Sequence, residues 1–152
     1  MNTSGSTSIS QAEAAAYIVP GTILYLKVAL PECELEDRYM VVVGFDNNRP
    51  LLLKIDSEKS YSKLNKKFRE HQFLVKQSQY PFLKYDSYLD CGRVWWIITQ
   101  DEVIEQIRVD PQRIKGHILK VHENEIVKFA RMSKSVQSNH KIIIAASLGF
   151  EN

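Results

Sequence analysis

The chain has 152 residues, of which 44% are hydrophobic and 25% are charged, enough for one apolar core and a polar surface. Lys and Arg number 20 against 18 Asp and Glu, a balance that excludes acidic-tail proteins and histone-like proteins that coat nucleic acid. No apolar run approaches the ~18 residues of a membrane-spanning helix, and no basic region precedes the short AAAYIV segment. We therefore expect a cytoplasmic protein without a membrane anchor.

The N-terminal segment MNTSGSTSIS consists mainly of Ser, Thr, Gly and Asn. Such a composition supplies too little apolar surface to offset the entropy lost on ordering. We therefore predict that residues 1–16 form a disordered tail and that residues 17–152 form a single domain. Its C-terminal part, from about residue 108, is expected to be a helical extension.

Three β-rich runs follow one another with short connections, which is typical of a curled antiparallel sheet. These runs are Thr22–Val28, Arg38–Phe45 and Leu51–Ile55. Further strand patterns occur later, at Gln72–Val75, Ser87–Cys91 and Arg93–Ile98. Between them, Pro81 cannot donate to a sheet ladder, so a turn is predicted there.

The pattern changes to a helical one after Thr99. Thr99 and Glu102 have the spacing of a capping box, which predicts the start of a helix. Pro111 predicts the start of a second helix, which apolar residues continue at helical spacing. The last apolar run, Ile142–Ala146, fits either a strand or a helix. Strands followed by helices predict an α+β fold.

The sequence contains no motif for a metal or a nucleotide cofactor. The P-loop, the dinucleotide fingerprint, the zinc-protease motif and the nucleophile elbow are all missing. His117 and His122 are five residues apart, so on a helix they would lie about 140° apart and would not share a face. Cys33 and Cys91 lack metal-ligand spacing. We therefore expect neither a metal nor a cofactor.

The order of several short patterns resembles the PemK/MazF family of small toxins. A strand beginning at Gly21 is followed by an acidic loop, the strand Arg38–Val43, and a third strand ending at Ser57. Asp86–Val94 is similar to the family's last strand before a terminal helix. The resemblance covers residues 20–107 and implies an SH3-like curled antiparallel β-barrel followed by C-terminal helices. It also implies a metal-independent endoribonuclease that cleaves single-stranded RNA and is inhibited by an antitoxin protein.

The resemblance implies roles for two residues. When RNA is cleaved without a metal, the 2′-hydroxyl attacks the phosphorus and negative charge accumulates on the phosphoryl oxygens. Arg38 would stabilise those oxygens, and Ser57 would donate a hydrogen bond that positions the phosphate. From the residues alone, Arg38 could instead pair with Glu36 or Asp37, and Ser57 could cap a turn.

A basic stretch follows the third strand. Residues 54–76 contain seven basic and three acidic side chains, so they are candidates for contact with a single strand, with aromatic rings as stacking platforms. Asp56 would oppose phosphate binding unless it pairs with Lys54 or Lys59. His71 could act as a general base, or could be a polar residue at a strand edge. The predicted nucleic-acid contacts are Lys54, Lys59, Lys63, Lys66, Lys67, Arg69 and Tyr61.

Two functions therefore remain open at the level of sequence. One is the endoribonuclease; the other is a non-enzymatic SH3-like binding module for a protein or nucleic-acid partner. A single basic groove containing both Arg38 and Ser57 would favour the enzyme. An Arg38 held away from any groove would favour the module. The apolar stretch Val94–Ile98 further predicts a homodimer.

Overall fold

A computed structural model describes residues 7–30, 35–57 and 70–149, which form a curled antiparallel sheet packed with helices. The described strands are β1 (Thr22–Ala29), β2 (Leu35–Asp46), β3 (Arg49–Ser57), β4 (Gln72–Val75), β5 (Ser87–Asp90) and β6 (Ile114–His117). The described helices are α1 (Gln11–Tyr17), α2 (Gln100–Val109), α3 (Lys120–Met132) and α4 (Ser138–Ser147). The predicted α+β fold with a curled antiparallel sheet is confirmed.

The strands are hydrogen-bonded in the order β4-β5-β3-β2-β1-β6, and each neighbouring pair is antiparallel. The register of β2 against β3 shifts between Val42 and Gly44, where a β-bulge interrupts the ladder. A bulge adds a residue on one strand, which bends that strand and increases its twist. The sheet therefore curls into a half-barrel.

Both faces of the sheet are buried. Successive side chains of a strand point to opposite faces, so neighbouring residues of one strand enter different cores. On β2, Val41 belongs to a core that Ile126 of α3 and Ile144 of α4 complete. Its neighbour Met40 points the other way, into a core shared with Ile107 of α2 and with α1. The near-continuous apolar sequence of β2 reflects this two-sided burial.

Helix α1 lies within the segment for which the sequence predicted disorder. Ser10 and Glu13 form a reciprocal capping box at its start, and the side chain of Ala14 is fully buried. The amide of Ile9 also donates a hydrogen bond to the carbonyl of Arg108, which fastens the segment to α2 (2.9 Å). The chain is thus ordered in part of residues 1–16; residues 1–6 lie outside the described ranges.

The region after β5 agrees with two of the sequence predictions and differs from two others. The capping box of Thr99 and Glu102 is confirmed, and Ile142–Ala146 lies in α4. Two predictions are wrong. Pro111 begins only a 3-10 turn, after which β6 pairs with β1 instead of continuing a helix. Arg93–Ile98 is not a strand, and makes one isolated bridge between Trp95 and Leu52.

The described helices are short, and α3, the longest, has 13 residues. Within the described part of the chain, none combines the length and the apolar character that crossing a membrane would require.

Candidate functional site

A groove opens where strands β2 and β3 separate. Tyr39 and Ile55 are the last paired residues of these two strands. Beyond them β2 stays paired with β1 as far as Leu35, whereas β3 stays paired with β5 as far as Ser57. The resulting groove has a volume of about 310 Å³, with residues 36–39 on one wall and residues 55–57 on the other. Its rim includes Lys84 and Tyr85 of the loop before β5.

Two of the three predicted catalytic residues, Arg38 and Ser57, line this groove. They belong to opposite walls, so a group bound between β2 and β3 would lie between them. By strand alternation Ser57 shares a face with Ile55 and Tyr39, and Arg38 belongs to the other face. The two side chains therefore approach the groove from opposite sides of the sheet.

Arg38 forms the ion pair that the sequence offered as its alternative role. A guanidinium nitrogen of Arg38 lies 3.0 Å from a carboxylate oxygen of Glu36, and the Arg38 side chain is only 11% exposed. The pair spans two positions of one strand, whose side chains point to the same face. Arg38 is consequently held in place while it lines the groove.

Asp56, which was expected to oppose phosphate binding, is paired with Lys54. Its Oδ2 atom lies 3.2 Å from Lys54 Nζ, and both side chains are about 15% exposed. Lys54 is one of the two partners that the sequence offered for Asp56, and its ammonium group offsets the charge of the carboxylate. Lys54 serves this pair rather than standing alone as a nucleic-acid contact.

Arg113 supports the β2 wall from a distant part of the sequence. Its Nη1 atom donates to Asp37 Oδ1 and to the carbonyl oxygen of Tyr25, both at 2.8 Å. Arg113 ends the 3-10 turn before β6, so the pairing of β6 with β1 brings it here. Sequence analysis missed this contact because 76 residues separate Arg113 from Asp37.

The charges of the groove are mixed, not basic. Its lining contains two cations and three carboxylates, and each carboxylate lies within an ion pair. The cations are Arg38 and Lys84, and the carboxylates are Glu36, Asp37 and Asp56. The described residues therefore do not form the basic groove that would favour the enzyme over the binding module.

Three tyrosine rings, those of Tyr25, Tyr39 and Tyr85, line the groove. The ring centroids of Tyr25 and Tyr39 are 4.5 Å apart, and Phe82 lies 5.3 Å from Tyr39. The hydroxyl of Tyr39 donates to the carbonyl of Phe82 (3.2 Å), and burial, with the nearby Tyr25, raises the pKa of Tyr39. Tyr85 on the rim is 58% exposed. Such exposed rings next to charged groups can stack with bases or with apolar side chains.

His71 lies away from the groove. Its carbonyl accepts a hydrogen bond from the amide of Cys91 (2.8 Å), beyond the end of β5 opposite to Ser87. Cys91 is four positions along the chain from Ser87, a distance of about 13 Å in extended backbone. The predicted general base is thus not brought together with Arg38 and Ser57.

Asp90, which the sequence analysis did not single out, lies at the same end of β5 as His71. The Asp90 side chain is buried and accepts a hydrogen bond from the amide of Gly92 (2.8 Å). Burial raises the pKa of Asp90, because removing the carboxylate from water disfavours its charged form. The only sequence signal for this hydrogen bond is the spacing of two residues between Asp90 and Gly92.

Most of the predicted nucleic-acid contacts cannot be placed. Outside the described residues lie Lys59, Tyr61, Lys63, Lys66, Lys67 and Arg69.

The apolar stretch predicted to form a dimer is mainly part of the core. Val94, Trp95 and Ile98 are buried, whereas Trp96 and Ile97 are partly exposed. The homodimer therefore stays a prediction. In this stretch only Trp96 and Ile97 offer exposed apolar surface for it.

Within the described ranges, no group of three or more His, Cys, Asp or Glu side chains has the arrangement of a metal site. The groove is lined by a guanidinium, a hydroxyl and paired carboxylates, with the exposed ring of Tyr85 on its rim. The guanidinium and the hydroxyl can donate hydrogen bonds to a phosphodiester. No protein-family model matches the chain, and no curated protein matches it in sequence.

Proposed function

We propose that this protein is a metal-independent endoribonuclease of the toxin–antitoxin type, which cleaves single-stranded RNA in the groove between β2 and β3. The observation that carries the proposal is the presence of Arg38 and Ser57 on the two walls of one groove. A phosphodiester seated between the walls would meet both a guanidinium and a hydroxyl.

In the proposed reaction the 2′-hydroxyl oxygen forms a bond to the adjacent phosphorus while the bond from phosphorus to the 5′-oxygen breaks. The 5′-oxygen leaves and takes a proton from solvent water, so the products are a 2′,3′-cyclic phosphate and a free 5′-hydroxyl. Arg38 stabilises the phosphoryl oxygens as their charge grows, and its ion pair with Glu36 keeps the guanidinium oriented. Ser57 donates a hydrogen bond that positions the phosphate.

His71 contacts Cys91, which lies about 13 Å from Ser87 at the groove when measured along the extended chain. The group that accepts the proton of the 2′-hydroxyl must therefore come from the groove itself. Asp56 is next to Ser57 on the β3 wall. Its carboxylate can take the proton, and the pairing with Lys54 limits the repulsion between Asp56 and the phosphate.

The proposal includes an inhibitory antitoxin protein and a cytoplasmic location. A free thiol at Cys91 is compatible with a reducing compartment. An antitoxin that covers the groove would prevent RNA from reaching Arg38.

A non-catalytic binding module is the second candidate, and one observation favours it. Every carboxylate that lines the groove is paired with a cation, which leaves a nearly neutral surface with aromatic rings. Such a surface suits a protein segment or an RNA strand that is bound without reaction.

The two candidates are separated by incubating the purified full chain with a mixed RNA in EDTA and analysing the product ends. We expect cleavage with 2′,3′-cyclic phosphate ends, and no cleavage by the Arg38→Ala variant. Binding of RNA without any cleavage would support the module. Cleavage that requires added Mg²⁺ would contradict the proposed mechanism.

A further inference from the structure

A second cavity, of about 350 Å³, lies between the segment that follows β5 and the loop that joins α3 to α4. Trp95 and Trp96 provide its aromatic walls, and Arg93 and Ser135 provide polar groups. A cavity of this size and mainly apolar character is in the range that binds small planar groups.

The walls of this cavity are held in place by the fold. The amide of Trp95 donates to the carbonyl of Leu52 and the reciprocal bond also forms, both at 2.8 Å. Trp96 packs edge-on against the buried ring of His140, with centroids 4.6 Å apart. Trp96 nevertheless keeps 37% of its surface exposed. The cavity is therefore a preformed site with one accessible aromatic ring.

The polar groups of the cavity are mainly donors. Trp95 is 91% buried, and its indole Nε1 has no hydrogen-bond partner among the described residues. The guanidinium carbon of Arg93 lies 4.8 Å from the centroid of the Trp95 ring. Since an indole N–H and a guanidinium only donate, a matching ligand must present acceptors.

The sequence around the cavity is basic. Residues 91–100 and 131–149 contain four Lys and Arg side chains and no Asp or Glu. Two nearby carboxylates have partners: Asp46 contacts His140 Nε2 at 3.0 Å, and Asp90 accepts from the Gly92 amide. A ligand with negative charge is therefore favoured.

We propose that this cavity is a nucleobase subsite for the same single-stranded RNA, which rests on the function proposed above. A base stacks on Trp96, and its acceptor atoms face Arg93 and the indole of Trp95. Arg93 in the plane of a base can also bond to two acceptors at once. Gly92 at the cavity lies five residues along the chain from Ser87 at the groove, at most about 16 Å, a span that a few nucleotides bridge.

The test compares short and long oligonucleotides that cannot be cleaved. Fluorescein-labelled 2′-O-methyl oligouridylates of three and eight nucleotides lack the attacking hydroxyl, and anisotropy measures their binding to the full chain. We expect the octamer to bind more tightly than the trimer. Trp96→Ala should weaken octamer binding about tenfold and leave trimer binding unchanged. Tyr17→Ala, at a half-exposed ring on α1, is the matched control and should change neither.

Two further variants remove single features without removing the ring of Trp96. Trp95→Phe keeps an aromatic ring but deletes the indole donor, and should weaken octamer binding by a smaller factor than Trp96→Ala. Arg93→Gln should lower by about one the number of ions released on octamer binding, which is measured from the salt dependence of the affinity. Thermal melting of each variant shows whether the fold is kept, so loss of binding by a folded variant identifies the site.

Equal effects of Trp96→Ala on trimer and octamer, or no effect on either, would overturn the subsite. If Arg38→Ala weakens the trimer while Trp96→Ala changes nothing, the subsite is wrong and the proposed function stands. If the wild type binds neither oligonucleotide, both are wrong. An acidic peptide of alternating Glu and Phe that binds more tightly than the octamer, and depends on Trp96, would assign the cavity to a protein partner instead.

Discussion

Tyr39 of β2 and Ile55 of β3 form the last backbone pair between their strands, and the groove begins beyond them. Each strand continues for at least two residues in a ladder with its other neighbour. Both walls therefore have hydrogen-bonded support although they are not bonded to each other. Because the walls are held, removing a side chain from either should alter binding or chemistry more than it alters the fold.

Replacing Arg38 with Ala should lower the rate of RNA cleavage by at least about 100-fold, since it removes a cation that acts on charge formed in the transition state. Gel analysis of a labelled RNA in EDTA measures the rate. Arg108→Ala is the control, because Arg108 pairs with Glu105 on the surface of α2, away from the groove lining. Unchanged cleavage by a folded Arg38→Ala variant would show that the site is wrongly assigned.

Ser57→Ala should have a smaller effect on the same reaction. A neutral hydrogen bond contributes roughly 0.5–1.5 kcal/mol, which corresponds to a two- to twelve-fold slower cleavage. The same gel assay measures it, with Ser87→Ala, the cross-strand partner at the groove, for comparison. A loss as large as that of Arg38→Ala would mean that Ser57 takes part in the chemical step.

Glu36→Gln should strengthen RNA binding by a few fold at low salt. The substitution removes the carboxylate that lies 3.0 Å from the Arg38 guanidinium and competes with a phosphate for it. Anisotropy with the octamer measures the affinity, and Glu105→Gln on α2 controls for the change in net charge. Weaker binding would contradict this prediction and show that the orienting effect of Glu36 on Arg38 outweighs its competition with the phosphate.

Gly44→Ala should lower the free energy of unfolding by about 1–3 kcal/mol. Gly44 has φ +151 at the bulge, and an added Cβ would lie 2.5 Å from Cγ2 of Ile143 on α4. Gly116 has a similar φ of +147 with no atom within 4 Å of an added Cβ, so Gly116→Ala isolates the backbone strain. Urea unfolding measures both variants, and equal losses would contradict a clash with α4.

Protonation of His122 should destabilise the fold as the pH falls. Burial lowers the pKa of His122 below its ordinary value of about 6.5, and its Nδ1 atom lies 2.6 Å from the hydroxyl of Tyr80. Between the two pKa values the unfolded chain binds more protons, so stability falls as the pH drops through about 6.5 and levels off below the folded pKa.

Urea unfolding from about pH 7.5 to about pH 5.5 measures this loss. In His122→Gln the decrease should be smaller, since the imidazole is gone. Asp90, whose pKa is raised, contributes with the opposite sign, so the comparison between variants isolates His122. A decrease of the same size in both proteins would contradict the role of this histidine.

Local patterns were sufficient for much of the fold. β1, β2 and β3 follow from β-rich runs and short turns, and the start of α2 follows from the side chains of Thr99 and Glu102. These features depend on residues a few positions apart, so the sequence states them directly. Arg38 and Ser57 were singled out by the resemblance to the toxin family, and their catalytic roles stay a prediction.

Features that depend on distant partners could not be read from the sequence. Residues 114–117 continue a helical pattern, but pairing with β1 makes them a strand. His71 follows the basic stretch in sequence, yet the pairing of β4 with β5 carries it to the end far from the groove.

The sequence by itself determined the α+β composition, the three-stranded start of the sheet and the capping box that begins α2. Tertiary structure decided that β2 and β3 separate after Tyr39 and Ile55, and that Arg113 pairs with Asp37 at the groove. The reason is physical. Backbone propensity and capping act over a few residues, whereas strand separation and ion pairing depend on which distant segments the cores bring together.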